Sequence, residues 1–217
     1  MPMPVEWYRT PDYDQAARTE FTLRYNRARR PHRNRVQYKI IKAIHLMEAG
    51  DPAAIDWAEQ LLTEVTRDDH AYRHDQGHAF ETLAELHRRT GQWELAVPAL
   101  EQCIKITGPT MSGTSGLPDL TLAEILLEND PSRLLKVASL LNSQPLIDRI
   151  KFNSQLFRYL VATARARQRL GEDPAPPARR ALDLLKGDQP KFPRHPTVGR
   201  IHADEQTVRE LRSLAGR

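Results

Sequence analysis

The sequence predicts an all-α chain built from antiparallel helical hairpins, and three observations carry that expectation. Aromatic residues make up 6% of the 217, charged residues 28% and apolar ones 40%. Leu, Ala, Glu and Arg outweigh Val, Tyr and Thr, a balance that favours helix and disfavours a β-rich fold. Apolar residues recur at helical spacing, as in Ile55, Ala58, Leu61, Leu62 and Val65, which fall on one face. Glycines at 50, 91, 171 and 187 each follow such a stretch, where a helix would close.

Taken in order, Thr10-Pro11-Asp12 offers an N-cap, a proline at the first helical position and an acid in the first turn, opening a helix to about Ala28 within residues 1–30. Pro31 breaks it. A second helix runs from about Arg33 to Ala49 and ends at Gly50; Asp51-Pro52 starts a third, which stops at Arg67-Asp68-Asp69. The fourth spans about His70 to Arg89, with Phe80, Leu83, Ala84 and His87 along one face, and closes at Gly91. The fifth starts near Gln92 and buries Trp93, Ala96, Leu100 and Cys103.

The second to fifth of these helices form two N-terminal hairpins over residues 33–106. Residues 107–118 turn to Gly, Thr, Ser and Pro, a loop and the best internal boundary. Two more hairpins fill 119–187, from helices at about Asp119 to Glu128, Pro131 to Leu141, Ile147 to Leu170 and Pro176 to Leu185. Residues 188–217 read as a proline-containing extended segment and a closing helix from Asp204 to Leu214, suited to cap the open end of a helical stack.

Several function classes drop out on composition. Cys103 is the single cysteine, so no intramolecular disulfide forms, and a reducing cytoplasm is expected. The N-terminal Met-Pro-Met-Pro-Val-Glu-Trp lacks the basic and apolar regions of a secretory signal. Charged residues interrupt every window before the roughly 18 apolar residues that a membrane span requires. The net charge of +4 is unevenly spread. Arg24, Arg27, Arg29, Arg30, Arg33, Arg35, Lys39 and Lys42 follow one another with no acid among them; acids dominate residues 51–101 and bases return over 149–200. Such alternation points to complementary charges within the chain more than to the continuous basic surface of a nucleic-acid binder.

Phe80, Leu83, Ala84, His87, Gly91, Trp93, Ala96, Leu100, Cys103 and Ile106 carry an internal pattern: large residues fill the space between two helices, small alanines let the backbones approach, and glycine makes the turn. Their spacing resembles the tetratricopeptide repeat, a unit of about 34 residues. Tyr38, Ala43, Leu46, Gly50, Ala58, Leu62 and Val65 fit a weaker copy with about three residues inserted after Gly50. Leu122, Ala123, Leu126, Leu134 and Leu135 suggest a shortened pair, and Leu160, Ala164, Gly171, Ala178 and Leu182 a fourth. The chain also resembles bacterial tetratricopeptide-like proteins that open with a Trp-Tyr-x-x-Pro-x-(Tyr/Trp)-Asp segment, here Trp7 to Asp14, and end with His-Pro-x-Val-Gly, here His195 to Gly199. The resemblance implies an irregular right-handed solenoid of about four hairpins forming one domain over 1–217, and a scaffold that binds a protein or peptide without catalysis or cofactor. That group has no defined activity, so the resemblance bears on fold, and binding follows by analogy with the shape.

In stacked hairpins the first helix of each pair lines the concave surface. The candidate groove residues are therefore His78, Glu81, Glu85 and Arg88 in the strong unit and Arg158, Arg165 and Arg169 in the late one. Arginines in a groove favour a carboxylate, phosphate or acidic peptide. An alternative reading is nucleic-acid or acidic-partner binding through a basic patch of Arg30, Arg33, Arg35, Lys39 and Lys42. A second alternative is a metal-dependent enzyme around His74 and His78, since His70, His74 and His78 recur every four residues on one helix. Three such turns span about 12 Å, too far for one ion to reach all three, and no Glu adjoins the first His as a metalloprotease would need. Glu81 and Glu85 are expected to pair with Arg88 and Arg89. Gly113-Thr114-Ser115-Gly116 lacks a phosphate-loop pattern, and Ser112, Ser115 and Cys103 lack any nucleophile motif.

Overall fold

The computed structural model describes residues 6–28, 31–187 and 199–216, with the side chains of His32 and Arg33 excluded. All regular structure in them is helical. None of these helices is long and apolar enough to cross a membrane. The chain divides into two compact units, Met1–Pro118 and Asp119–Arg217, and the division falls at the end of the segment that the sequence marks as an internal boundary.

The first unit contains α1 (Gln15–Arg27), α2 (His32–Ala49), α3 (Pro52–Thr66), α4 (Arg73–Arg89) and α5 (Trp93–Thr107), followed by a 3₁₀ turn at Gly108–Thr110. α2 pairs with α3 and α4 with α5; α3 also packs on α4, and α2 touches α4. Both hairpins turn on a glycine in the left-handed region, Gly50 at φ 72° and Gly91 at φ 75°, where a side chain would be strained. In each, the second helix begins two residues after that glycine. The three-residue insertion expected after Gly50 is therefore absent: Asp51 caps α3 by accepting from the Ala53 N–H, and Ala54 is fully buried in its first turn.

Two starts differ from expectation. α1 begins at Gln15 because Asp14 accepts from the Ala17 N–H, whereas Thr10 is engaged by Lys42 and never caps a helix. α4 begins at Arg73, leaving His70 in the preceding turn. Val36, Ile40, Ala43, Leu46, Trp57, Leu62, Val65 and Leu86 share one core with Phe21 and Tyr25 of α1. Leu100 and Cys103 of α5 are fully buried. Removing a leucine side chain of this size from water stabilises the fold by about 1.5–3 kcal/mol.

The second unit contains α6 (Pro118–Asn129), a 3₁₀ turn at Pro131–Arg133, α7 (Leu134–Leu141), α8 (Gln144–Arg149), α9 (Asn153–Leu170), α10 (Ala175–Lys186) and α11 (Glu205–Ala215). α9 pairs with α10, α11 packs on both, and α7 lies against α9. Phe157, Leu160, Ala164, Ala178, Ala181, Leu211 and Leu214 form their common core. The single helix expected from Ile147 to Leu170 is two. Ile150 and Phe152 adopt extended backbone, and the Gln155 side chain accepts from the Lys151 and Phe152 N–H groups, starting α9 afresh. Asp204 caps α11 through the Thr207 N–H, as the sequence anticipates. The extended run expected over 188–199 and residues 195–198 of the terminal motif lie outside the described residues, apart from Gly199.

Candidate functional site

Along α4, four turns of helix bring His74, His78, Glu81, Glu85 and Arg88 toward one side, because positions three and four apart share a face. Their partners set their chemistry. Glu85 accepts from Arg88 at 2.8 and 2.9 Å and from Arg89 at 2.7 Å. Burial would raise its carboxyl, but these guanidinium contacts outweigh it and hold Glu85 below the ordinary carboxylate value.

Glu81 does not join that pair. Its carboxylate accepts from the Ser115 N–H at 2.7 Å and from the Ser115 hydroxyl at 2.5 Å. The glycine-rich segment after α5 is thereby folded back onto α4. Gly113, at φ 85°, sits where a Cβ would come within 2.5 Å of the His74 carbonyl oxygen. Gly77 lets the Thr107 methyl approach to 2.2 Å from where its own Cβ would stand. Met111, buried and with φ 48°, anchors the segment from inside. Sequence composition reads this stretch as a loop; the missed signal is that one of its glycines, Gly113, and one glycine of α4, Gly77, are needed for close approach.

His78 is half-buried, and desolvation pushes its imidazole below the usual value against the opposing pull of Glu81 and Asp75. Asp75, 3% exposed, lies one turn earlier, its Oδ1 within 3.2 Å of the Gln37 side-chain amide from α2 and 3.3 Å of the His74 Nε2. Its Oδ2 is buried with no hydrogen-bond partner among the described residues, a situation that costs about 1–3 kcal/mol. A buried acid in the first turn of α4 was not singled out by spacing, because the residue that meets it, Gln37, lies on another helix.

The structure does not gather the histidine series into one cluster. His70 is outside α4, His74 stacks on Tyr72 at 5.2 Å between ring centres, and no group of three or more His, Cys, Asp or Glu among the described residues is placed to hold an ion. Cys103 is fully buried.

Four bases of the stretch along α1 and α2 are engaged within their own unit. Arg24 pairs with Glu20 at 2.5 Å, and Lys39 with Glu64 of α3 at 2.8 Å while lying over the Tyr25 ring. Arg35 donates to the Tyr25 and Asn26 carbonyls. Lys42, placed on a surface patch by the sequence pattern, is 1% exposed; it is an interior residue because its amine is enclosed by residues 10–12 and the Trp57 ring. Arg30 and the Arg33 side chain lie outside the described residues. Arg35 and Lys39 are thus committed to main-chain carbonyls and to an acid of α3, and Lys42 is removed from the surface.

The late arginines are likewise committed within the second unit. Arg158 of α9 holds Glu124 of α6 at 2.5 and 3.0 Å. Arg165 holds Glu210 of α11 at 2.7 and 3.0 Å, a contact that raises its already high pKa. Arg169 donates to the Leu127 carbonyl. A fourth such contact, Arg149 with the buried Asp119, joins α8 to α6 and carried no local signal in sequence, its partners being thirty residues apart. These arginines tie helices together instead of standing together in a groove.

An open, acidic groove of about 480 Å³ runs beside α3, lined by Asp56, Glu59, Gln60, Thr63, Glu64 and Arg67. It lacks the mainly apolar lining that holds small organic ligands. No family model, curated protein or solved structure matches the chain.

Proposed function

We propose that the chain is a non-enzymatic cytoplasmic scaffold of tetratricopeptide-like hairpins that holds a protein or peptide segment. The observation that carries this reading is the repetition of one device in the first unit. Hairpins α2–α3 and α4–α5 turn on left-handed glycines with the same two-residue spacing to the next helix, and α2, the first helix of its pair, lies against α4, the first helix of the next. Stacking of that kind leaves the outward faces of the first helices side by side, the surface on which helical repeats bind extended partners.

On that surface Gln37, Ile41 and Ile44 of α2 are accessible in whole or part, as are His74, His78 and Glu85 of α4. A mixed apolar and polar face of this composition suits a peptide better than a phosphate backbone. The internal engagement of Arg35, Lys39 and Lys42 weighs against the nucleic-acid alternative.

Selection of peptides from a displayed random library on the full chain, followed by NMR mapping, tests the reading. Shifts are expected to cluster on Gln37, Ile44, His78 and Glu85. A library that yields no binder, or shifts confined to other surfaces, overturns it.

A further inference from the structure

Residues 6–13 lie against α1, α2 and α3 as a non-helical strap, and the contacts that hold it are those of a bound peptide. The Lys42 amine donates to the Thr10 carbonyl at 2.7 Å, the Thr10 hydroxyl at 3.1 Å and the Asp12 carbonyl at 2.8 Å. These are three acceptors for the three protons of an ammonium, all from the strap. Trp57 supplies an aromatic face 5.1 Å from the same nitrogen. Trp7 and Tyr8 rest on Tyr38 at 5.1 and 4.6 Å between ring centres, Trp7 also meets Phe21, and Arg18 donates to the Tyr13 carbonyl.

Two features separate this arrangement from ordinary core packing. The strap's aromatic side chains are only half-buried and lie on the helices instead of inside them; Tyr38, on which both Trp7 and Tyr8 rest, is itself half-buried, whereas Phe21 beneath Trp7 is buried. Within the strap the described main-chain bonding is a single turn, Arg9 N–H to the Glu6 carbonyl, so its conformation is set by the surface it lies on. Recognition of alternate main-chain carbonyls does not depend on which side chains the strand carries. A site built this way accepts any extended segment that presents acceptors two residues apart next to an aromatic pair.

We infer that the α1–α3 surface around Lys42 is a peptide-recognition site, separate from the α2–α4 face, filled in cis by residues 6–13. Its partner in trans is an extended segment of the same chemistry: two adjacent aromatic side chains followed by a hydroxyl residue whose carbonyl faces the amine. The strap is a built-in competitor for that partner, and opening it both frees the site and strands the Lys42 ammonium without its acceptors. The second effect is what keeps the strap closed in the absence of a replacement.

The test is titration calorimetry with a synthetic peptide of residues 6–14, added to the full chain and to a Trp7→Ala/Tyr8→Ala variant that weakens the strap but leaves Lys42, Tyr38 and Trp57 in place. The variant is expected to bind the peptide at least tenfold more tightly than the unsubstituted chain, and a further Lys42→Met change to abolish the gain. Equal binding by the two chains, or binding that survives loss of the amine, overturns the inference. Hydrogen exchange on the unsubstituted chain decides independently of whether the variants fold. Amides of residues 7–10, 12 and 13 are expected to exchange at least tenfold faster than those of α3 and α4, and exchange at the core rate would show the strap to be a fixed part of the fold.

Discussion

The two irregular segments that close the first unit are held by opposite charges. At one side a cation, Lys42, gathers main-chain carbonyls of the strap; at the other an anion, Glu81, gathers the N–H and hydroxyl of Ser115. Each solves the same problem, fixing a segment that has no helical hydrogen bonds of its own. They differ in depth. Lys42 is removed from water and its pKa is lowered by that burial, while Glu81 keeps part of its hydration. The difference teaches that the strap is secured by a group that loses heavily if its partners leave, and the loop by one that does not.

That contrast orders the expected effects of substitution. Lys42→Ala removes the amine and leaves two enclosed carbonyls without donors, so chemical denaturation should show a loss of about 3 kcal/mol. A loss below that of Glu81→Ala would break the comparison. Gly113→Ala comes next, at about 2 kcal/mol, from a positive φ and a Cβ that collides with the His74 backbone. The same change at Gly116, also at positive φ but with open space around it, should cost less, which separates steric closure from backbone strain. Glu81→Ala should cost about 1 kcal/mol, since water replaces much of what the exposed carboxylate accepts.

The smallest effect is expected from pH. Burial lowers the His78 pKa below its ordinary 6.5, so the folded chain takes up this proton later than the unfolded one. Stability is then unaffected above that value and declines as pH falls below it. A His78→Asn variant should flatten this limb of a melting-temperature profile; an unchanged slope would assign it to other groups.

How much of this was legible in sequence differs by scale. Helix periodicity and glycine placement locate nearly every helix, because both are properties of consecutive residues. The misplaced start of α1 has a physical cause. Thr10-Pro11-Asp12 and Asp14 are both good starts, and the choice between them was made by Lys42, thirty-two residues away. The break at Ile150 was hidden because Gln155 supplies the cap, and glutamine three residues into a helix is common without one. The candidate site was less legible still. Arg158, Arg165 and Arg169 share a helix, and their spacing suggested a common face, yet Arg158 and Arg169 reach a side chain and a carbonyl of α6 while Arg165 reaches α11. Spacing shows which residues share an element; which acids oppose them depends on neighbours that no local pattern encodes.

The strap also distributes the chain's indoles unevenly. Trp7 lies in it and Trp57 lines the floor beneath it, whereas Trp93 opens α5 in the other hairpin. Two of the three tryptophans therefore change surroundings if the strap lifts, and the third stays where it is. The protein carries its own optical reporter: emission would shift to the red in two steps, a partial one as the strap opens and a final one when Trp93 is exposed by unfolding.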